Sequence, residues 1–300
     1  MTSYAAIGDQ AVKVVVLSDH PAEMLEDIHS HHRAAADREQ AQHRKALAQH
    51  EQALARHGAR LTALRQDRDR ARAERRWFTW TKATVATWRH QRRRPRPPAQ
   101  RQVLAPAGPQ RSVADQEAIL TAGITGEHIV AADLGAVLGD EWTLLHGYHN
   151  HHGEIDHILL GPRGMFTIEV KYRNATVDID GDVWRLRKYD HYGNVVEHGL
   201  ITDRRGRSPS VQLNEPTAEL ERFLSSRHHP VRARRAVILT HPRSALGQCR
   251  NLTVDLVATS ASRLVSLLSE SPAMLGTAQV SELQQLIVHD HQFNQRRSPR

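Results

Sequence analysis

Proline placement constrains this chain more than any other feature. Between Pro21 and Arg94 there is no further proline and one glycine, Gly58, in a stretch rich in Ala, Arg, Gln and Glu. Pro95, Pro97, Pro98, Pro106 and Pro109 then follow in close succession. The first stretch consists of good helix formers. The second cannot continue a helix, because proline lacks the backbone donor and its ring clashes with the preceding turn; it reads as a stiff, extended linker. The expected organisation is a short N-terminal segment (1–20), a helical arm (21–94), a Pro-rich linker (95–111), a folded domain (112–270) and a C-terminal helix and tail (271–300).

Charge follows the same division. The net charge is +8, but residues 1–110 hold 20 Lys/Arg against 11 Asp/Glu, whereas residues 111–300 hold 21 against 22. Residues 60–101 alone carry 14 basic and 3 acidic side chains. A basic segment joined to a neutral half points to a polyanionic partner: nucleic acid first, an anionic membrane surface as the lesser alternative. No apolar run approaches the roughly 20 residues of a membrane-spanning helix. The start, MTSYAAIGDQ, lacks the basic and apolar regions of a secretory signal. The single cysteine, Cys249, excludes an internal disulfide framework. A cytoplasmic location is expected.

Within the arm, Leu47, Leu54 and Leu61 repeat at seven and Leu64 adds a further position, while His50 and His57 occupy the other seam positions. A dimerising or hairpin coiled coil and a long solvated helix both fit; a homodimer through this helix is the partner the first reading implies. The arm ends in RRWFTWTKATVATWRHQRRR. Trp77, Trp80, Thr84 and Trp88 share a helical stripe, flanked by Arg75 and Arg76 on one side and Arg92, Arg93 and Arg94 on the other. Three uses are open: packing against another helix, base stacking beside phosphate-binding arginines, or an interfacial helix at a membrane.

After the linker the texture alternates between helices and β-branched strands. A helix capped by Ser112 or Asp115 and broken near Gly123 is expected to reach Leu138. Strands follow near 142–147, 154–160, 165–171, 176–180 and 183–188. Then come helix 210–226, strands 235–240 and 253–257, and helices 260–269 and 279–289. This order implies α/β or α+β with a mixed sheet flanked by helices.

The stretch Gly153–Lys171, GEIDHILLGPRGMFTIEVK, carries the chemistry. Gly161-Pro162-Arg163-Gly164 is a turn signal between two strand patterns. With those four residues as the loop, Leu160 faces Met165, Asp156 faces Glu169 and Glu154 faces Lys171. Side chains two apart share a face, so all four charges project together. The reverse face collects Ile155, Leu159, Phe166, Ile168 and Val170, with His157 as its polar exception. Opposed carboxylates destabilise a sheet unless neutralised. Either a divalent cation such as Mg²⁺ does so, with Lys171 beside it to meet a phosphate, or the face is simply solvated.

These residues resemble the Asp…Glu-x-Lys core of the restriction-endonuclease-like superfamily. More narrowly, residues 117–226 resemble the nuclease-related domain family, through Gly123-Ile-Thr-Gly126-Glu127, Gly153-Glu-Ile-Asp156-His157, Gly161-Pro162-x-Gly164, Ile168-Glu169-Val170-Lys171 and Ser208-Pro209-Ser-Val-Gln212. The resemblance implies a restriction-endonuclease-like fold after the long helical arm, and a nuclease hydrolysing phosphodiester bonds in DNA, with RNA as the alternative substrate. It implies Glu127, Asp156 and Glu169 as ligands of Mg²⁺ or Mn²⁺, Lys171 as the group that meets phosphate or positions water, and Gln212 as an orienting residue at the rim. Glu127 is otherwise a helix-dipole acid after Gly126, and Gln212 an ordinary first-turn residue. Glu154 is a candidate outer group. The competing class is a nucleic-acid-binding or scaffolding protein that keeps the fold without hydrolysis.

The chain has 21 histidines. His146, His149, His151 and His152 precede the hairpin without Cys or a fixed helical spacing, so a polar rim loop is expected rather than zinc. His157 reads as a hydrogen-bonded core histidine, and Cys249 as a small buried or loop residue.

Overall fold

In the computed structural model, which describes residues 12–96 and 113–297, the proline-free stretch forms two helices, α1 (His20–Ala73) and α2 (Trp77–Arg92). Residues 97–111 of the expected linker, and Ser112, lie outside the described residues. The chain divides into two units, residues 1–26 with 111–300 and residues 27–110.

Within the unit 27–110, α1 and α2 form a helical hairpin, one of the arrangements the arm's sequence leaves open, with a break between them at residues 74–76. Arg76 N–H donates to Ala71 O at 2.9 Å and Arg75 N–H to Arg72 O at 3.1 Å. This is the Schellman pairing that ends a helix. Its left-handed position is normally glycine but is here Arg75, at φ 52°, which is why propensity gave no warning. Across the hairpin the His57 and His90 rings stack at 4.3 Å. His57 Nε2 lies 2.8 Å from His90 O, and His90 Nε2 3.3 Å from His57 O. Leu54, His57, Leu61, Leu64 and Arg68 are half-buried and Ala71 is buried, a three–four spacing that marks the seam. Leu47, one repeat earlier, is exposed. The Trp stripe divides: Trp80 and Thr84 are half-buried, while Trp77 and Trp88 are 67% and 52% exposed.

The other unit is mixed α/β. In chain order it holds β1 (Lys13–Val16), α3 (Val113–Gly135), β2 (Thr143–Asn150), β3 (Gly153–Gly161), β4 (Gly164–Lys171), β5 (Thr176–Asp180), β6 (Val183–Tyr189) and β7 (Val195–Leu200). After these come α4 (Pro209–Ser226), β8 (Ala233–Leu239), β9 (Ala245–Arg250), β10 (Leu256–Ala258), α5 (Ala261–Glu270) and α6 (Thr277–Arg297). A six-stranded sheet runs β1-β2-β3-β4-β8-β10 and a four-stranded sheet β7-β6-β5-β9. In the larger sheet β2, β3 and β4 are antiparallel neighbours, whereas β1–β2, β4–β8 and β8–β10 pair in parallel. Helix α3 runs through Gly123 without the expected break. Strands β7 and β9 have no counterpart in the sequence reading. Their residues, VVEHGL and ALGQCR, are exposed with one half-buried exception, so neither shows the alternation that announces a strand. Cys249 is an exposed residue of β9.

Helices cover both faces of the large sheet, which is why β3 and β4 are apolar on alternate and adjacent positions alike. Leu144, Leu159, Phe166, Ile168, Val170 and Ile238 pack with Val130 and Leu134 of α3 and Leu264 and Leu268 of α5. Leu145, Ile158, Leu160, Met165, Val237 and Leu239 pack with Leu213, Leu220 and Leu224 of α4 and Leu283 and Ile287 of α6. Ile155 departs from the expected face: with its partner Tyr148 it joins the second cluster. The reason lies between them. The ladder links His146 to His157 and Tyr148 to Ile155 but has no pair at Gly147 and Asp156, and Gly147 sits at φ 72°. Alternation inverts at that step.

Gly147 thus sets the approach to Asp156. A Cβ there would drive into the Ser18 carbonyl, and the left-handed φ strains any other residue. We expect Gly147→Ala to cost at least about 2 kcal/mol, measured as a lowered urea midpoint with unchanged m-value.

Candidate metal and phosphate site

The antiparallel ladder of β3 and β4 follows the expected register from Gly161↔Gly164 to His157↔Ile168 and stops there. Asp156 occupies the register position opposite Glu169, but its Oδ2 accepts the Val170 N–H at 2.6 Å. Glu154, expected opposite Lys171, pairs with His149 of β2 instead. Strand β4 continues alone with β8, to Lys171↔Leu239. The strands therefore part at the two carboxylates, as mutual repulsion favours, and a side-chain oxygen replaces the missing ladder bond.

Lys171 Nζ, at the end of β4, donates to Glu169 Oε1 and, at 3.0 Å, to Gln212 Oε1. Gln212 stands in the first turn of α4. Ser208 Oγ caps that helix by accepting from Val211 N–H, and Pro209 takes the first helical position. The Gln212 Nε2 donates to Arg207 O at 2.7 Å, so both ends of the amide are fixed. Burial works to lower the Lys171 pKa, but Glu169 and Asp156 outweigh it and hold the value above that of an ordinary lysine.

Glu127 reaches the site from α3. Its neighbour Gly126 permits this: a Cβ there would meet Thr240 Oγ1 at 2.8 Å and Tyr172 Cβ and Val170 Cγ1 at 3.2 Å. Behind Glu127 stands a pair of histidines in buried strand positions, not a rim loop. His157 Nε2 lies 3.2 Å from Glu127 O, His157 Nδ1 lies 3.3 Å from His146 Nδ1, and His146 Nε2 lies 3.5 Å from Glu127 Oε2. Burial pushes the His157 pKa down to about 3 and lowers that of His146. A neutral His157 must donate from Nε2 to the carbonyl, so its Nδ1 accepts from His146 Nδ1–H. That leaves His146 Nε2 as an acceptor facing a protonated Glu127.

Residues 122–240 match the family model of the nuclease-related domain. This segment of the chain is a nuclease-related domain. No curated protein and no solved structure matches the chain. Glu127, Glu154, Asp156, Glu169, Lys171 and Gln212 all fall inside the matched nuclease-related domain, whereas Arg75, Arg76, Trp77, Trp80, Trp88, Arg92, Arg93 and Arg94 of the hairpin lie outside it.

The domain's acidic groups outnumber their counter-charge. Burial first, then Glu154, Asp19 and Glu169, raise the Glu127 pKa to about 8. Burial, Glu169, Asp19 and Glu23 raise Glu154 to about 7. Burial, Glu169 and Glu127 hold Asp156 well above the usual carboxylate range, against the pull of Lys171. Asp19 and Glu23, at the start of α1, were not singled out in the sequence; the signal was Ser18-Asp19-His20-Pro21, a helix start, with Asp19 Oδ1 accepting the Ala22 N–H at 3.4 Å. The donors fit a hard divalent cation: all are carboxylate oxygens, and Asp156, Glu169 and Glu127 each commit one oxygen to the partners above. Such a cation would be held by Glu127, Asp156 and Glu169.

Beyond Lys171 the chain lines a cavity of about 250 Å³ with Tyr172, Arg173, Asn174, Ala175, Leu186, Lys188, Glu197 and His241. The Tyr172 and His241 rings meet edge to face at 4.9 Å.

The raised acids fix a pH dependence. Each keeps its proton in the folded chain at pH values where the unfolded chain has released it, so stability falls as pH rises toward about 8. Above pH about 6.5 the buried histidines are neutral folded or unfolded and drop out. With chelator present, the melting temperature should fall by a few degrees between pH 6.5 and 8.5; millimolar Mg²⁺ should restore it at the upper end, and Glu127→Gln should flatten the slope. Scanning fluorimetry checks this, and a flat wild-type profile would reject the charge imbalance.

Proposed function

We propose that this protein is a metal-dependent nuclease of the restriction-endonuclease-like type, cleaving phosphodiester bonds in DNA. The observation that carries the proposal is the grip on Lys171, whose ammonium is held by Glu169 and Gln212 beside Asp156 at the point where β3 and β4 part. A bound Mg²⁺ or Mn²⁺ would supply a water of lowered pKa and offset charge on the phosphate.

The chain's own residues do the rest. Lys171 remains protonated and presents N–H donors to a phosphate oxygen or to the attacking water. Gln212 prevents the lysine from collapsing wholly onto Glu169. Asp156 is oriented by the Val170 N–H, and Glu127 by Gly126 and the two histidines. Arg173, Lys188 and the Tyr172 and His241 rings offer a basic, aromatic path for the strand next to the scissile bond. In the hairpin, Trp77 and Trp88 are exposed and Arg92 lies 4.0 Å over the Trp88 ring. From Arg75 to Ala114 there are 10 basic residues and no acidic one. Such a run of basic charge gives salt-dependent, sequence-independent affinity. The domain boundaries at 95–111 and 112–270 belong to this proposal.

Cleavage of circular and linear DNA with Mg²⁺ or Mn²⁺, with binding measured on the same samples, tests it. Glu169→Ala and Lys171→Ala should each lose at least about 100-fold in rate with binding retained. Gly126→Ala, by pushing α3 outward, should lose about tenfold. Binding without cutting, indifferent to these substitutions, would favour the scaffold reading. Arg92→Ala with Arg93→Ala should weaken binding and lower the slope of log K against log salt by about 2.

A further inference from the structure

A second set of ligand-bearing side chains converges away from the carboxylates, where the β2–β3 turn meets α4. One ring nitrogen each of His151 and His152 and one carboxylate oxygen of Glu219 all lie within 4.8 Å of one another. The two imidazoles are 4.2 Å apart and tilted by 44°. His152 Nε2 is 3.8 Å from Glu219 Oε2, beyond hydrogen-bond reach. That Glu219 oxygen is buried and accepts no hydrogen bond among the described residues. Its charge is met by Arg222 at 2.5 Å, whose side chain is 67% exposed and free to swing into solvent.

The backbone that carries these groups is already fixed. Asn150 Oδ1 accepts the His152 N–H at 3.0 Å, while Asn150 Nδ2 donates to Pro216 O at 2.9 Å, one helical turn before Glu219. Arg207 Nη1 donates to His152 O at 2.9 Å. The turn is therefore tied to α4 before any ligand arrives, and bringing the three donor atoms to coordination distance asks for side-chain adjustment alone.

Two imidazoles and one carboxylate, with further positions open to water, suit a borderline transition ion, unlike the all-oxygen set at Asp156. We propose that His151, His152 and Glu219 form a transition-metal site of the Zn²⁺ class, separate from the carboxylate cluster. Its effect is mechanical: the ion staples the β2–β3 turn to α4. His152 lies two residues before Glu154, and Glu219 lies about two helical turns after Gln212, so both arms of the staple lead into the carboxylate and lysine cluster and stiffen it.

The test uses the full chain, stripped with chelator and held in excess Mg²⁺ to occupy the all-oxygen cluster. It is titrated with Zn²⁺ in a calorimeter and with Co²⁺ by visible absorption. We expect one Zn²⁺ equivalent that raises the melting temperature and a Co²⁺ spectrum of nitrogen–oxygen coordination. His152→Ala and Glu219→Gln should each weaken that equivalent at least about tenfold and abolish the thermal shift; Glu219→Gln keeps the side-chain shape, so its metal-free melting temperature should match wild type. Asp156→Asn should leave the equivalent intact. Unchanged Zn²⁺ binding in both site variants, loss confined to Asp156→Asn, or no Zn²⁺ binding would each overturn the proposal.

Discussion

A charge imbalance organises the nuclease-related domain. Glu127, Glu154, Asp156 and Glu169 share the field of one half-buried ammonium, Lys171, with Asp19 adding to the acidic side. Burying carboxylates without equal counter-charge is costly, and the domain offsets the cost locally. Glu127 and Asp156 hold protons past the usual carboxylate range, the Val170 N–H points at Asp156, and Gln212 keeps the lysine in place. These are devices for keeping an unfavourable arrangement in a fixed geometry. A folded chain tolerates such a cluster because the two apolar cores on either side of the sheet are otherwise complete.

Much of this was legible in the sequence, for identifiable reasons. The loop Gly161–Gly164 and the apolar alternation on either side of it fix the hairpin register, and the observed ladder follows it as far as His157 and Ile168. Beyond that point periodicity fails. Which strand a residue pairs with depends on partners distant in the chain: Glu154 goes to β2, and Glu169 and Lys171 to β8. The placement of Ile155 failed because a glycine's left-handed torsion leaves no trace in a hydropathy pattern. The histidine pair behind Glu127 was half visible. His157 stands out as a polar residue on an apolar face, but its partner His146 is defined by cross-strand pairing, which a histidine-rich segment does not reveal.

The arm teaches the same lesson in helix form. Two histidines at seam positions argue against a coiled coil when judged by hydrophobicity. In the hairpin His57 stacks on His90, and each ring nitrogen reaches the other's carbonyl, so the polar seam residue is satisfied within one chain. The helix break at Glu74–Arg76 was invisible because the left-handed residue is Arg75, where glycine is the usual marker.

The inversion at Gly147 has a meaning beyond geometry. Along most of β2 and β3 each position is claimed by one core or the other, and a polar side chain such as His157 is kept there by hydrogen bonding. At the step where alternation inverts, Asp156 is owned by neither core. The sheet has in effect a phase slip, and the aspartate sits at the node. A carboxylate can be kept there without surrendering packing on either side, and the spacing of apolar residues before and after it must be read as two separate patterns out of phase by one residue.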